Sequence, residues 1–279
     1  MRPTTRADAV RDLLRPVLGP PVRRTRRQLD WWRHHRALRL HRAGGTGFPH
    51  PAAAHATPLF RRLAGLEDRL QHGKVTNLRI AVARLDGLVL PPGGRLSFWH
   101  EVGRPSRRRG FATGLVLDHG RLAEGVGGGL CQLTNLLYWM TAHTPLTVVE
   151  RWRHSYDVFP DSGRTQPFGS GATCAWPVLD LQVENRTSTT FRLALRVTES
   201  DLAGEWTTDA PVGVRYEVYE AAHLMTNDAP GVFSRHNVLR RKVFDAAGTL
   251  VGDEPLAENH ALLRYQPFLP AGGGTGTGS

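Results

Sequence analysis

The sequence predicts an α+β protein with N-terminal helices, one central buried helix that carries Cys131, and a mostly antiparallel β-sheet in its second half. Three observations predict this class. Leucines recur at helical spacing over residues 59–70 and 130–143. Most of the second half consists of short β-rich runs bounded by Gly, Asn and Asp. The composition, 40% hydrophobic and 22% charged over 279 residues, is that of a globular chain able to bury a sizeable core.

The net charge of +11 is concentrated at the N-terminus. Residues 1–50 contain twelve arginines and three aspartates, and this basic, Arg-rich segment also holds Trp31 and Trp32. Such a stretch could lie on an anionic membrane surface or touch nucleic acid. Alternatively it is a solvated extension, or a helix that covers the rest of the protein. Because no nucleic-acid-binding motif is present, nucleic acid is not expected to be a partner.

Cysteine content and the N-terminal sequence indicate where the protein acts. Two cysteines do not make a disulfide framework, and the first residues lack the apolar stretch and cleavage site of a signal peptide. No window approaches the roughly 18 apolar residues that span a bilayer. We therefore expect a cytoplasmic protein, with the basic segment as the part that would lie on the inner membrane surface.

The first half is predicted to be helical after a linker. Residues 43–58 are rich in Gly, Pro and Ala, which is typical of a linker, and residues 57–58 (Thr-Pro) are a good start for a following helix. A second helix is predicted from about Thr76 to Gly87. Short strands are then predicted in LVL, RLSFW, GLVL and RLAEG, the last two flanking a turn at residues 118–120.

The second half is predicted to contain one helix followed by strands. The helix runs from about Leu130 to His143, and residues 146–160 follow it as one strand. LDLQVEN and TTFRLALRVTES are predicted to pair as a hairpin, as are VLRRKVFD and TLVGDE. The Gly-rich tail, residues 271–279, is expected to be disordered.

The sequence EGVGGGLCQLTNLLYWM places Cys131 after three glycines, at the start of the predicted helix. The positive end of the helix dipole lowers a thiol pKa at such a position. A glycine turn also leaves backbone N–H groups accessible to an oxyanion or a substrate carboxylate, and Gln132 could add a side-chain amide. The glycines are Gly127, Gly128 and Gly129. The pattern predicts a thiol nucleophile, and the alternative is a small side chain packed tightly in the core.

A thiol nucleophile needs a base, and His154 is the candidate. If residues 146–160 form one strand, His154 shares a face with Val148, Trp152 and other largely apolar side chains, so its ring points inward. Asp157 then points to the opposite face, which makes it a poor partner for orienting the imidazole. The alternative is a core histidine that hydrogen-bonds a backbone carbonyl.

Two further polar groups are candidates for substrate binding. Three consecutive arginines in a predicted loop could hold phosphate or carboxylate groups, or could simply be solvated: Arg107, Arg108 and Arg109. A cluster near the C-terminus is either a binding group or a set of turn and cap residues: His236, Asn237, Asn259 and His260. No HExxH or CxxC spacing supports a metal site, and no cofactor is implied. Cys131 and Cys174 could form a disulfide, but a reducing cytoplasm argues against it.

The sequence resembles the VanW family from about Leu59 to about Pro270. The resemblance is carried by VTNLRIAVARLDGLVLPPG, LSFWHEVGRPS, GVGGGLCQLTNLLYWMTAHTPLTVVERWRHSYDVFPDS, QPFGSGATCAW, SRHNVLRR and ENHALLRYQPF. It implies a VanW-like domain over residues 51–270, between the basic segment 1–50 and the tail 271–279. It also implies a role near glycopeptide resistance or peptidoglycan metabolism.

Broader members of the family share a pattern like GGGxCQ, then a histidine in HSY, then GRDAT. Cys131, Gln132 and His154 match the first two elements, but Gly171 stands at the aspartate position of the third. The resemblance therefore implies a Cys-His pair without the obvious third member of a triad, and another residue would have to orient the histidine. The candidates are Glu124, Asn237 and Asn259.

Two functions are consistent with these residues. The first is a cysteine-dependent hydrolase or acyl/amide transferase acting on a cell-wall precursor or related peptide, with Cys131 as nucleophile and His154 as base. Gln132 and the N–H groups of residues 128–130 would bind the oxyanion. The second is a non-catalytic accessory protein that binds a cell-wall precursor, a partner enzyme or the inner membrane surface, the last through residues 1–50. A cysteine on a helix followed by a histidine on the next strand is also the chain order of papain-like and transglutaminase-like enzymes.

Overall fold

The computed structural model describes residues 21–60, 68–118, 121–157 and 166–265. Its helices are α1 (21–33), α2 (Asp68–Leu85), α3 (Phe98–Val102) and α4 (Cys131–Ala142), with a 3₁₀ turn at Arg107–Arg109. Its strands are β1 (His41–Arg42), β2 (His50–Pro58), β3 (Leu88–Leu90), β4 (Arg95–Ser97), β5 (Thr113–Asp118), β6 (Arg121–Val126), β7 (Thr147–Glu150), β8 (Tyr156–Asp157), β9 (Gln182–Glu184), β10 (Phe191–Val197), β11 (Asp201–Thr208), β12 (Val214–Ala229), β13 (Val232–Asp245) and β14 (Leu250–Leu263).

The described strands form four sheets, in which nearly all neighbours are antiparallel. The largest has the order β1–β3–β10–β11–β2, the second β12–β13–β14–β8 and the third β4–β9–β7, while β5 and β6 pair with each other. Among the described residues, β14 and β8 are the parallel pair. Few helices and mostly antiparallel sheets confirm the predicted α+β class.

The five-stranded sheet packs its apolar face against α2 and α4. In β10, fully buried residues alternate with more exposed ones, as expected of a strand with one face in the core. Gly204 of β11 lies so close to α4 that a Cβ there would approach Met140 Cε to 2.8 Å. On the same strand, Trp206 Nε1 donates to Thr141 Oγ1 at 3.3 Å. These contacts hold α4 against the sheet, and with it Cys131, its first residue.

Helices occur largely where the sequence predicts them. α4 covers Cys131–Ala142, within the range predicted, and residues 21–33 are helical. The helix predicted from about Thr76 already includes Asp68. The helix predicted after residues 57–58 falls largely on residues 61–67, which lie outside the described residues. None of the described helices is long and apolar enough to cross a membrane.

The prediction of a linker over residues 43–58 is wrong for its second part. Residues 50–58 form β2 at an edge of the largest sheet, and β2 pairs with β11 from His50 opposite Thr208 to Pro58 opposite Asp201. A sequence rich in alanine, histidine and proline has little strand propensity of its own. Its extended conformation is therefore imposed by the pairing with β11.

The prediction of one strand over residues 146–160 is also wrong. β7 ends at Glu150 and β8 begins at Tyr156, while residues 158–160 lie outside the described part of the chain. β7 belongs to the three-stranded sheet and β8 to the sheet of the C-terminal strands, so the chain crosses between sheets here. Trp152, which alternation placed on the inward face with His154, is 46% exposed.

Two of the three predicted hairpins form. β13 pairs with β14, and β5 pairs with β6, although residues 119–120 at its turn lie outside the described residues. LDLQVEN and TTFRLALRVTES do not pair: β9 joins β4 and β7, whereas β10 joins β3 and β11. In RLSFW the strand stops at Ser97, whose Oγ accepts from His100 N and begins α3. The tail 271–279 lies outside the described residues.

Candidate active site

The three glycines before α4 form a tight turn. Gly127 and Gly129 have φ angles of +82° and +89°, which side chains rarely tolerate. Gly128 is required for space, because a Cβ there would lie 2.2 Å from the carbonyl carbon of Gly114 in β5. Asn77 of α2 donates from Nδ2 to Gly128 O at 2.9 Å. The turn is thereby fixed between α2 and β5, and it sets the direction in which α4 begins.

The turn leaves backbone N–H groups unpaired at the helix start. Gly128 N donates to Gly125 O at 3.1 Å, so this N–H is occupied. Within the described ranges, no acceptor pairs with the N–H groups of Gly129, Leu130 or Cys131. Such first-turn N–H groups have no intrahelical partner and favour an anion. Of the N–H groups predicted to be donors over residues 128–130, that of Gly128 is therefore occupied, while those of Gly129 and Leu130 have no acceptor among the described residues.

Cys131 is a free, half-buried thiol that contacts a second cysteine. Its Sγ lies 3.8 Å from the Sγ of Cys174 and 3.7 Å from the Cys174 carbonyl oxygen. His154 lines the same cleft as this sulfur. The hydrogen bond from the Cys174 thiol, followed by that from His154, lowers the pKa of Cys131 well below its ordinary value despite burial.

Cys174 is the member of the pair that keeps its proton. Burial, followed by the adjacent Cys131 sulfur, raises the pKa of Cys174 well above its ordinary value. Two interacting thiols titrate as a pair rather than as separate groups. The asymmetric surroundings favour the thiolate at Cys131 and the thiol at Cys174, and both cysteines are free rather than joined in a disulfide.

Cys131, Cys174 and His154 line a cleft of about 810 Å³. This volume lies in the range of small-molecule binding sites. One wall is the β5–β6 hairpin, and two tryptophans, Trp99 and Trp176, contribute apolar surface to the cleft. The candidate nucleophile and its candidate base therefore line the same ligand-sized cleft.

His154 reaches the cleft from the crossover between β7 and β8, not from a strand. In the described part of the chain, none of the three predicted orienting residues hydrogen-bonds its ring. Glu124 pairs with Arg69, Nη2 to Oε1 at 2.8 Å. Asn237 and Asn259 bond to each other and to the segment after residue 166. These three predictions for orienting His154 are not supported by the geometry.

Asn237 and Asn259 instead support a wall of the cleft. Asn237 Nδ2 donates to Phe168 O at 2.7 Å, and Asn259 Nδ2 donates to Asn237 Oδ1 at 2.8 Å. Arg151 Nε donates to Gly171 O at 2.9 Å. Side chains from β13, β14 and the β7–β8 crossover thus hold the cleft-lining segment in place. The two asparagines do not line the Cys131 cleft and act as positioning residues.

Asn135 is a cleft residue that the sequence interpretation missed. It lies four residues after Cys131 on α4, and its Oδ1 accepts from Ala172 N at 2.8 Å. A Cβ on Gly171 would lie 2.4 Å from that Oδ1. Asn135 therefore fills the space next to the position where the broader family pattern has an aspartate. The helical i, i+4 spacing from Cys131 is the signal that could have identified it.

Gln132 and the three arginines lie away from the cleft. Gln132 Nε2 donates to Thr57 Oγ1 and to Pro58 O, each at 2.9 Å, so its amide joins α4 to β2. The structure does not bring this amide to the oxyanion position predicted for it. The exposed 3₁₀ turn contains the predicted anion-binding arginines, none of which lines the cleft: Arg107, Arg108 and Arg109.

The predicted C-terminal cluster meets at a different place. His236 and His260 lie on the β12–β13–β14 sheet and line a separate cavity of about 230 Å³. His260 Nδ1 lies 2.8 Å from His236 Nε2, and the ring centroids are 4.2 Å apart. Among the residues that the structure describes, no group of three or more His, Cys, Asp or Glu side chains is arranged to hold a metal ion.

α1 of the basic segment packs on the chain that follows Cys174. Arg27 is 8% exposed and donates to both carboxylate oxygens of Glu150, at 2.6 and 2.7 Å, and to Pro177 O at 3.0 Å. It also lies 3.7 Å from Asp180 Oδ2. Burial raises the pKa of Asp180 to about 6. The hydrogen bonds to its carboxylate, of which that from Ser97 has the largest effect, lower the pKa by less than burial raises it. This part of the basic segment covers the body of the protein.

The fold and site define an α+β protein with a cleft that is lined by a helix-start thiol and an imidazole. A family model described as "VanW like protein" matches residues 73–207, a range that contains Cys131, His154 and Cys174. This match, which spans just under half of the chain, shows that residues 73–207 are similar to VanW-like proteins.

Two curated relatives support this similarity. The chain is 28% identical over 207 residues to the Vancomycin B-type resistance protein VanW of Enterococcus faecalis, a match that covers 74% of this chain and 75% of the relative. It is 30% identical over 110 residues to the Uncharacterized protein YoaR of Bacillus subtilis, covering 39% of this chain and 35% of that relative. No solved structure shows significant similarity to the chain.

Proposed function

We propose that this protein is a cysteine-dependent hydrolase or acyl/amide transferase acting on a cell-wall precursor or related peptide. The observation that carries the proposal is that Cys131, with a lowered pKa, and His154 line the same cleft of about 810 Å³. The relative named for vancomycin resistance supports a link to glycopeptide resistance, and the cell-wall substrate is inferred from that link.

The chemistry follows from the groups around Cys131. The thiolate attacks an acyl carbonyl carbon, a C–S bond forms, and the carbonyl electron pair moves to oxygen. The N–H groups of residues 129–131 donate to this oxyanion. Collapse expels the amine or alcohol, which takes its proton from the protonated His154. Neutral His154 then removes a proton from water or an acceptor amine, which attacks the thioester and releases the acyl group and the Cys131 thiolate.

The test is alkylation by iodoacetamide across pH, with the labelled cysteine identified by peptide mass. We expect Cys131 to label rapidly below the pH at which an ordinary thiol ionises. His154→Ala should move the midpoint of the profile to higher pH, because the imidazole no longer stabilises the thiolate. His260→Ala is the matched control, since it removes a histidine outside the cleft. Slow labelling of Cys131, with the pH profile of an ordinary thiol that is unchanged in His154→Ala, would refute the assignment of Cys131 as a nucleophile.

A non-catalytic binding protein is the second candidate, and one feature of the site favours it. Within the described residues, no carboxylate or amide hydrogen-bonds the His154 ring, and Asn135 fills the space beside Gly171. A base without an orienting partner is a weaker catalyst. Incubation with an activated peptide ester separates the two candidates. An acyl-thioester trapped on Cys131 supports the enzyme. If no thioester is trapped and Cys131→Ala leaves ligand binding unchanged, the accessory protein is supported.

We also propose that the cytoplasmic surface of the membrane is a docking partner for residues 1–50. On α1, Arg27 faces the body, whereas Trp32 is 72% exposed and Arg23, Arg24 and Arg26 are exposed. An exposed tryptophan beside arginines suits an anionic interface. In a flotation assay, the wild type should rise with anionic vesicles and Trp32→Ala should not. Neutral vesicles are the control. Equal binding by both proteins would dismiss the docking.

A further inference from the structure

Arg153 is a cation in the cleft that the proposed thiol chemistry does not use. Its side chain lines the cleft with Cys131 and His154 and is half-buried. Its guanidinium lies over the Phe168 ring, 5.3 Å from the centroid. None of its N–H groups hydrogen-bonds another of the described residues. A guanidinium without a hydrogen-bonding partner in a concave site is a receptor for an anion.

Among the described residues, no carboxylate serves Arg153 as a dedicated counter-ion. The nearby carboxylate, Asp157, lies 3.7 Å from Arg235 and accepts from Tyr265 Oη at 3.3 Å. Arg235 covers the Phe168 ring as well, with its guanidinium carbon 4.6 Å from the centroid. Burial, followed by the charge of Arg151, lowers the pKa of Arg153 to about 10, and Asp157 offsets this only in part. Binding an anion at Arg153 would relieve this imbalance.

The rest of the cleft is mainly apolar. Leu115, Val116 and Leu117 of β5 line one wall, and Leu122 of β6 lines it while remaining 50% exposed. Exposed leucine on a hairpin that borders a cleft is more typical of a ligand site than of a solvated loop. The aromatic surface of Trp99 and Trp176 extends the same apolar lining.

We infer that the cleft binds an anionic amphiphile, with its carboxylate or phosphate headgroup at Arg153 and its apolar chain along the β5–β6 hairpin. The inference rests on the proposed function in taking the Cys131 cleft as the substrate site, and it names the class of substrate. The acyl or amide bond to be cleaved then lies near the headgroup, because Arg153, His154 and Cys131 line the same cleft.

Calorimetric titration of the full chain with a matched series of small probes tests the inference. Octanoate and octyl phosphate carry the chain with either headgroup, octanol carries the chain alone, and acetate and inorganic phosphate carry the charge alone. We expect at least one eight-carbon anion to bind more tightly than octanol and than its chainless counterpart. The tighter of the two identifies the headgroup.

Variants assign the two halves of the probe to the two parts of the cleft. Arg153→Gln should weaken binding of the eight-carbon anion by about tenfold and leave octanol unchanged, as expected for a lost charge-assisted hydrogen bond. Arg153→Lys should retain most of the affinity. Arg108→Gln removes the same charge from an exposed arginine outside the cleft and should have no effect. Leu115→Ser should weaken the eight-carbon anion but not acetate or inorganic phosphate.

Several results would overturn the inference. One is equal loss of anion binding in Arg153→Gln and Arg108→Gln; another is octanol binding as tightly as the eight-carbon anions. Absence of binding by every eight-carbon probe would also overturn it. The labelling of Cys131 is read separately: Arg153-dependent binding with an unreactive Cys131 defeats the proposed enzyme and leaves the amphiphile site standing. A reactive Cys131 without such binding defeats the amphiphile site and leaves the proposed enzyme standing.

Discussion

The surroundings of Cys131 come from three separate parts of the chain. The turn of residues 127–129 provides the helix start, the β7–β8 crossover provides His154, and the segment after Phe168 provides Cys174. The sequence points to the first two, because a helix-start cysteine and a following histidine have a recognisable order. It indicates Cys174 only as a disulfide partner, because a hydrogen bond between two thiols has no sequence pattern.

Replacing Cys174 should change the acidity of Cys131. In Cys174→Ala the thiolate loses its main hydrogen-bond donor, so the pKa of Cys131 should rise towards its ordinary value. The pH profile of iodoacetamide alkylation should therefore shift to higher pH. Cys174→Ser keeps a donor and should keep the wild-type profile. Identical profiles for the alanine variant and the wild type would contradict the assigned roles.

Asp180 should make stability depend on pH with an unusual sign. Its folded-state pKa of about 6 lies above the ordinary value of 3.8, so the folded state binds the proton more tightly. Its contribution is complete below about pH 4 and is lost as pH rises through about 6, by about 3 kcal/mol. Urea unfolding at pH 4.5 and 7.5 should show about 2 kcal/mol of this loss for the wild type relative to Asp180→Asn. A difference between the two proteins that does not vary with pH would contradict it.

At the scale of elements, local patterns predict structure where the element depends on its own residues. α4 lies where leucine spacing predicts a helix, and the β13–β14 and β5–β6 hairpins follow from their turns. The pairing of β9 and β10 could not be predicted, because their partners β4, β7, β3 and β11 come from elsewhere in the chain. For the same reason the strand conformation of β2 has no local signal.

The location of His154 shows a different limit. Strand alternation predicted that its ring faces inward, and the ring does line the cleft, but there is no strand at residue 154. The placement results from a crossover between two sheets, which depends on the parallel pairing of β8 with β14. Arg153 was missed for this reason, since alternation would place it on the face opposite His154.

The glycine turn can be tested by a pair of matched substitutions. Gly93→Ala and Gly129→Ala both place a side chain at positive φ, +75° and +89°, which costs about 1 kcal/mol. At Gly93 nothing lies within 4 Å of the new Cβ, whereas at Gly129 Lys74 Cγ is 2.1 Å away. Gly129→Ala should therefore destabilise the protein by about 1–3 kcal/mol more in denaturant unfolding. Equal losses for the two variants would show that the turn has room.

Gly171 and Asn135 should be energetically coupled. Gly171→Ala places a Cβ 2.4 Å from Asn135 Oδ1, and we expect a loss of about 1–3 kcal/mol. In the double variant with Asn135→Ala the clash is absent, so the combined loss should be smaller than the sum of the single losses. A double-mutant cycle by chemical unfolding measures this difference. If the two losses of stability simply add, Gly171 and Asn135 are not energetically coupled.

At the scale of the whole molecule, α1 links the basic segment to the site. Arg27 neutralises Glu150 and lies beside Asp180, while Trp31 of the same helix donates from Nε1 to Ser97 Oγ at 3.0 Å. The composition of residues 1–50 suggests a separate segment. A net charge alone does not show that one of its arginines is buried. The domain boundary at residue 50 remains a prediction, and α1 contacts residues well beyond it.

Removing Arg27 should destabilise the protein far more than removing a neighbouring arginine. Arg27→Ala leaves Glu150 and Asp180 without their cation, and the loss of one partner of a buried ion pair costs about 3 kcal/mol or more. Arg26→Ala, on the exposed side of α1, should change stability by less than about 0.5 kcal/mol. Thermal and urea unfolding measure both changes. Similar stability of the two variants would mean that α1 does not hold the body together.

The position of β1 and β2 affects the order in which the chain can fold during synthesis. Both edges of the largest sheet come from residues 41–58, but the interior strands β10 and β11 come from residues 191–208. Pro58 of β2 has no pairing partner until Asp201 of β11 has been synthesised. The sheet is therefore complete only when most of the chain has left the ribosome. Until then the α4 helix and its cysteine have no sheet to pack against. Cys131 therefore becomes a cleft residue late, and a nascent chain would carry it as an ordinary exposed thiol.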